Sequence, residues 1–270
     1  MTNNTTNIAN SVLNGRLLEV EKLGIRFGGL QAVGEFDLHL DAGGLYGIIG
    51  PNGAGKTTVF NMLTGIYRPT EGRIVFKGKE MVGEKIHNFT AAGVARTFQN
   101  VRLFKNLTVL ENIEIALHNG VEYGLLSAFF RSSAMRKKEE EILDEASALL
   151  KRLGLLSYSE KKASSLPYGL QRRLEIARAL ATSPTLLLLD EPAAGMNPQE
   201  VDQLAQDIRW IKEEFGLTVL LIEHHMALVM EICDHITVMN FGRTIADGAP
   251  GEIRNNRMVV EAYLGKGGKF

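Results

Sequence analysis

The chain has 270 residues, 45% hydrophobic and 23% charged, with a formal net charge of −1. That describes an ordinary globular protein long enough for a large core, with no general pull toward nucleic acid or an anionic membrane. The single cysteine, Cys233, excludes an intramolecular disulfide; no apolar run reaches the ~18 residues of a membrane span, and the Asn- and Thr-rich start lacks a signal peptide's apolar core.

In chain order, residues 1–14 are polar and read as a disordered tail. Residues 17–27 read as a strand closed by Gly28-Gly29. Residues 33–40 alternate as a second strand, and Asp41-Ala42-Gly43-Gly44 turns the chain into a third over residues 45–49. Further strands are expected over residues 72–78 and 94–98. Thr108 with Glu111 has the form of a capping box opening a helix to about His118. Residues 119–134 are irregular, and their apolar cluster of Leu125, Leu126, Ala128, Phe129 and Phe130 reads as a surface for another molecule.

Residues 135–153 form an amphipathic helix with Ile142, Ala146, Leu149 and Leu153 on one stripe, ended by Gly154. Arg136-Lys137-Lys138 and Arg172-Arg173 sit in helical patterns and read as solvated faces. The second half alternates. Leu186-Leu187-Leu188-Leu189 and residues 218–222 are apolar throughout, as strands buried on both faces are. Residues 199–215 and 227–233 read as helices, residues 236–239 and 243–246 as strands, and two short helices close the chain near 250–264. Strands alternating with helices imply an α/β fold with a largely parallel sheet.

The strand at residues 45–49 leads into Gly50-Pro51-Asn52-Gly53-Ala54-Gly55-Lys56-Thr57-Thr58 and then an apolar helix. This fits the phosphate-loop pattern in its strand–loop–helix context. Glycines let successive N–H groups turn inward on phosphate oxygens, and the helix adds its open N–H groups and positive dipole end. Lys56 reaches the outer phosphates and the Thr57 hydroxyl holds magnesium. Two other apolar strands end in polar residues, Leu189 before Asp190-Glu191 and Ile222 before Glu223-His224. In a parallel sheet these carboxyl ends share the edge where ligands bind. Asp190 is then placed for the magnesium water shell and Glu191 for the attacking water, while His224 is either a structural histidine or, at the end of a central strand, a contact for the γ-phosphate. No Cys/His grouping has zinc spacing.

Leu166-Pro167-Tyr168-Gly169-Leu170-Gln171, opening a helix just before Asp190, resembles the signature motif of ABC-type ATPases. The usual Leu-Ser-Gly-Gly-Gln is altered here: Pro167 removes the serine hydroxyl and Leu170 a side-chain amide. The resemblance runs from about residue 17 to 264. It implies an adenine-stacking role for Phe27, a magnesium and membrane-partner sensor in Gln99, a D-loop at Ala194-Gly195-Met196-Asn197, and a switch histidine in His224. Phe27-Gly28-Gly29-Leu30-Gln31-Ala32-Val33, the segment from Ala95 through Gln99 to Phe104, and Asn240-Phe241-Gly242-Arg243 resemble the branched-chain amino-acid importer branch.

The resemblance implies a P-loop NTPase fold, with a RecA-like core of mostly parallel sheet, an N-terminal antiparallel β region and an inserted α-helical subdomain. The core is expected at about residues 15–98 and 168–250, the helical subdomain at about 99–167, and terminal helices at 250–270. The implied ligands are ATP and Mg2+, with magnesium at Thr57, Gln99 and Asp190. The implied partners are a second ATPase subunit packed head to tail, as a homodimer or heterodimer, two membrane permease subunits and, indirectly, a solute-binding protein, with no nucleic acid. Such a subunit lies peripherally on the cytoplasmic face of the membrane. The alternatives are a urea or amide importer, a lipopolysaccharide or lipid exporter, and a soluble ABC ATPase acting on DNA or ribosomes. The last usually carries two cassettes or a long coiled-coil insertion, and this chain has neither.

Overall fold

The computed structural model describes residues 15–118 and 133–264; the expected polar tail and the apolar cluster at residues 125–130 lie outside the described residues. In chain order the strands are β1 (Arg16–Phe27), β2 (Leu30–Asp41), β3 (Leu45–Ile49), β4 (Glu71–Phe76), β5 (Lys79–Glu80), β6 (Val94–Arg96), β7 (Leu186–Asp190), β8 (Thr218–Ile222), β9 (His235–Asn240) and β10 (Arg243–Gly248). The helices are α1 (Lys56–Leu63), α2 (Ile86–Ala92), α3 (Val109–His118), α4 (Ser133–Arg152), α5 (Tyr168–Leu180), α6 (Pro198–Glu214), α7 (Met226–Ile232), α8 (Pro250–Arg254) and α9 (Arg257–Leu264). None of the described helices is long and apolar enough to cross a membrane.

The described residues fall into two compact units: one takes the chain from residue 15 to Arg96 and again from Thr185 to Leu264, the other the described part of Thr97–Pro184. The first holds two sheets. β2-β1-β4-β5 is antiparallel, and β10-β9-β3-β8-β7-β6 is parallel except where β10 returns antiparallel along β9. Every residue of β7 and β8 is buried, as their unbroken apolar sequences require. One core joins the sheets: Val20, Leu23, Phe36 and Leu40 from the antiparallel sheet with Phe60, Leu188, Leu220 and Ile222.

Three elements differ from the sequence expectation. β4 stops at Phe76 because Lys77 and Gly78 adopt φ +49° and +76° and turn the chain into the two-residue β5. β6 ends at Arg96 rather than Phe98. Helix α2 was not anticipated; it is seven residues long and buries only Phe89, too little for a helical period to register.

In the second unit, Thr108 Oγ1 accepts from Glu111 N–H at 3.1 Å while Glu111 Oε2 accepts from Thr108 N–H at 2.7 Å, the reciprocal cap expected for α3. The stripe Ile142, Ala146, Leu149 and Leu153 is buried, and Gly154 at φ +68° ends α4. α5, expected in the core from residue 168, lies within this unit. Arg172 also departs from its expected solvated face: it is fully buried and ion-paired with Glu175 at 2.6 Å. A buried guanidinium is stable only with such a partner.

Candidate active site

At the end of β3 the chain must turn at once, because Gly50 lies against β9. A Cβ on Gly50 would fall 2.1 Å from Met239 O. Gly53 and Gly55 follow with φ +80° and +100°, and α1 opens at Lys56. The first helical bond, Val59 N–H to Gly55 O at 3.0 Å, leaves the N–H groups of Lys56, Thr57 and Thr58 at the open end of the helix. They border a cavity of about 450 Å³ lined by residues 52–58, Glu191, and two hairpins that contribute Leu30, Gln31, Ala32, Phe241 and Gly242.

Lys56 Nζ donates to Gly50 O at 2.7 Å and Pro51 O at 3.0 Å, so the ammonium is curled back under the loop. Burial lowers its pKa, opposed by the negative charges of Glu191, Asp190 and Glu223. Those three acids come from the strand ends expected to converge. β8 lies between β3 and β7, with Ile48 opposite Ile222 and Ile222 opposite Asp190.

Asp190 Oδ2 is held by Arg96 Nη2 at 2.6 Å. Arg96, from the end of β6, also donates to Asn61 Oδ1 at 2.8 Å and Thr64 Oγ1 at 3.3 Å, and its guanidinium lies 5.4 Å from the Phe60 ring centroid. Sequence reasoning passed over Arg96; its only signal was its place at the carboxyl end of a parallel strand. Glu191 adopts φ +45°, rare for a residue with a long side chain, and its N–H bonds Ile222 O at 2.9 Å. This turn aims its carboxylate into the cavity, with Oε2 3.9 Å from His224 Nδ1.

Glu223 was also missed as a functional group. Fully buried, it accepts Ala193 N–H at 2.7 Å on one oxygen and the N–H groups of His224 and His225 at 3.0 and 3.3 Å on the other. It thereby ties the turn after Glu191 to the turn carrying His224. Glu223, His224 and His225 bring ligand-type atoms within 4.8 Å of one another, but the carboxylate is committed to these N–H groups.

Phe27 stands apart from the lining. Its ring meets Tyr67 edge-on at 5.3 Å, and its hairpin presents Leu30 to the cavity instead. Gln99 and the segment Leu166–Gln171 lie in the second unit. There Arg172 donates to Phe98 O and Glu175 accepts the N–H groups of Phe98 and Arg102, so α5 grips the segment that carries Gln99. Leu166 is buried, Pro167 caps α5 without a side-chain bond, Tyr168 is exposed and Gly169 has open space above its Cα. Leu170 is half-buried, and Gln171 Nε2 donates to Leu166 O at 2.8 Å. Asn197 accepts Glu200 N–H at 3.1 Å and caps α6.

An open helix start with a lysine, facing two acids and a histidine from neighbouring strand ends, is chemistry for a nucleoside triphosphate. Comparison with known proteins agrees. The ABC transporter family profile matches residues 33–194, and that of the branched-chain amino acid ATP-binding cassette transporter matches residues 243–269. The chain is 49% identical to the high-affinity branched-chain amino acid transport ATP-binding protein BraF of Pseudomonas aeruginosa, over 93% of this chain and 98% of BraF. It is 48% identical to LivG of Escherichia coli, a protein of the same description, with the same coverage. Among solved structures, a nucleotide-free ATP-binding cassette from an ABC transporter superposes with TM-score 0.80 at 34% identity, covering 93% of this chain and 100% of that one. An ADP conformation of another such cassette gives TM-score 0.81 at 32% identity, covering 93% of this chain and 99% of that one. The fold is the α/β cassette that the phosphate loop and alternating strands implied, and the chain belongs to the ABC transporter family as an ATP-binding subunit.

Proposed function

We propose that this chain hydrolyses ATP to power an ABC importer for branched-chain amino acids. The observation that carries the chemistry is the convergence of Lys56, Asp190, Glu191 and His224 at one sheet edge around the open N-terminus of α1. The match of residues 243–269 to the branched-chain cassette family, with full-length similarity to BraF and LivG, supports the solute.

Phosphoryl transfer needs positioning and charge neutralisation more than covalent help. The backbone N–H groups of residues 53–58 would cradle the phosphates. Lys56 would exchange the carbonyls of Gly50 and Pro51 for phosphate oxygens. Hydroxyl and carboxylate oxygens suit a hard cation, so Thr57 and Asp190 fit magnesium, which would neutralise phosphate charge; for Gln99 a magnesium role is implied by the family resemblance alone. Asp190 meets that role with its Oδ2 already fixed by Arg96. Glu191 would orient the attacking water and accept its proton, and His224 would hold the γ-phosphate. Phe27 is assigned to the adenine, and Leu166–Gln171 of a second ATPase subunit, through backbone N–H groups near Gly169, to the far side of the phosphates.

Two such subunits would close on ATP and open after hydrolysis. Closure would move two membrane permease subunits through the region of Gln99, at the cytoplasmic membrane face, with a solute-binding protein delivering the amino acid. The test is reconstitution with the membrane subunits in vesicles. Leucine should stimulate ATP hydrolysis and be taken up, while Glu191→Gln should bind ATP and stall as a closed dimer. Stimulation by urea, an amide or a lipid, with none by leucine, would overturn the solute, and full turnover by Glu191→Gln would remove Glu191 from its role.

A further inference from the structure

The turn between β9 and β10 holds an aromatic ring that packing does not account for. Phe241 is 88% exposed and belongs to the lining of the phosphate-loop cavity. On the β1–β2 hairpin, Leu30 is 69% exposed and lines the same cavity. Asn240 pairs with Arg243, so Phe241-Gly242 is a two-residue hairpin turn, and both residues have positive φ, +46° and +77°. Such turns select Asn or Asp before Gly; a phenylalanine in the left-handed region is costly. Neither the turn nor the core therefore explains a ring at this position.

The turn is also locked to the phosphate loop. Gly242 N–H donates to Ala54 O at 2.9 Å, and Gly242 O accepts Gly34 N–H at 2.9 Å. A Cβ on Gly242 would lie 2.5 Å from Ala32 O, so the close approach is built in. Movement of the loop around phosphates is thus tied to the carrier of the ring.

We propose that Phe241, with Leu30, forms a further apolar surface for the base of the bound nucleotide, in addition to the Phe27 contact assigned above and the phosphate contacts of residues 50–58. The proposal rests on this cavity being the nucleotide site. Aromatic rings bind the faces of all bases, and Leu30, Ala32 and Phe241 bring apolar carbon to a cavity otherwise lined largely by the phosphate loop.

The experiment compares binding of ATP and of inorganic tripolyphosphate to the full chain. Phe241→Asn removes the ring while giving the turn its preferred Asn-Gly, so the fold should not suffer. ATP should bind roughly tenfold more weakly to Phe241→Asn, from the usual range of base-stacking contributions. Tripolyphosphate binding should not change, and Phe241→Tyr should restore ATP affinity. Unchanged ATP affinity in Phe241→Asn, or an equal loss for tripolyphosphate, would overturn the proposal. Failure of the site itself looks different: Lys56→Ala would then bind both ligands as the unaltered chain does.

Discussion

Arg96 Nη2 donates to Asp190 Oδ2 at 2.6 Å, with side-chain exposures of 5% and 4%. The pair spans neighbouring strands and connects Asp190 through Arg96 to Asn61 and Thr64 at the end of α1. Removing one partner of a buried ion pair strands the other charge in a medium that solvates it poorly, a larger effect than the net contribution of the pair. Arg96→Met keeps most of the volume and should cost about 3 kcal/mol in urea unfolding. A loss under about 1 kcal/mol would show that Asp190 is held by other groups.

Glu223 receives three backbone N–H groups from two turns and so links the Glu191 turn to the His224 turn. Glu223→Ala would leave these donors, buried at Ala193 and part-buried at His224 and His225, without their acceptor, at an expected cost of about 3 kcal/mol. The 3.9 Å spacing of Glu191 and His224 should relax with it, so ATP hydrolysis should fall further than ATP binding. Equal losses in binding and turnover would indicate general unfolding instead.

Gly242→Ala tests the lock between the β9–β10 turn and the phosphate loop. The new methyl group would meet Ala32 O at 2.5 Å, in a backbone conformation at φ +77° that alanine disfavours. A combined cost of about 2 kcal/mol is expected. Nucleotide affinity should weaken as Gly242 withdraws from Ala54 O. Unaltered affinity with reduced stability would mean that the turn supports the fold alone.

Which parts were legible in the sequence follows from how local their signals are. Gly50, Gly53 and Gly55 announce backbone conformations that only glycine tolerates, and β7 and β8 announce burial on both faces by unbroken apolar runs. Their shared edge then follows from parallel pairing. Arg96 and Glu223 were not legible because their roles depend on partners 94 and 30 residues away, which neither periodicity nor spacing encodes. Arg172 misled for a related reason. A basic pair followed by an acid has the pattern of a solvated helix face, yet the neighbouring segment at Phe98 and Arg102 covers it. Phe241 stands in a stretch that resembles a family motif, and only the fold puts its ring beside the phosphate loop.

Cys233 offers a test of the packing behind the loop strand. It is buried at the end of α7, so close to β3 that a Cβ on Gly47 would lie 3.1 Å from its Sγ. Burial, with a smaller push from the charge of Asp234, raises the thiol pKa well above its ordinary value. Below about pH 8.5 both folded and unfolded chains keep the proton, and the group's contribution to stability is full. Above it the unfolded chain loses the proton while the folded chain retains it, so unfolding gains up to about 1.4 kcal/mol per pH unit. The fall in urea stability between pH 7.5 and 10 should therefore be steeper for the unaltered protein than for Cys233→Ala, whose cavity cost is the same at both values. A thiol reagent at pH 8 should find Cys233 inert in the folded chain and reactive in urea. Equal reactivity in both states would contradict the burial of α7 against β3.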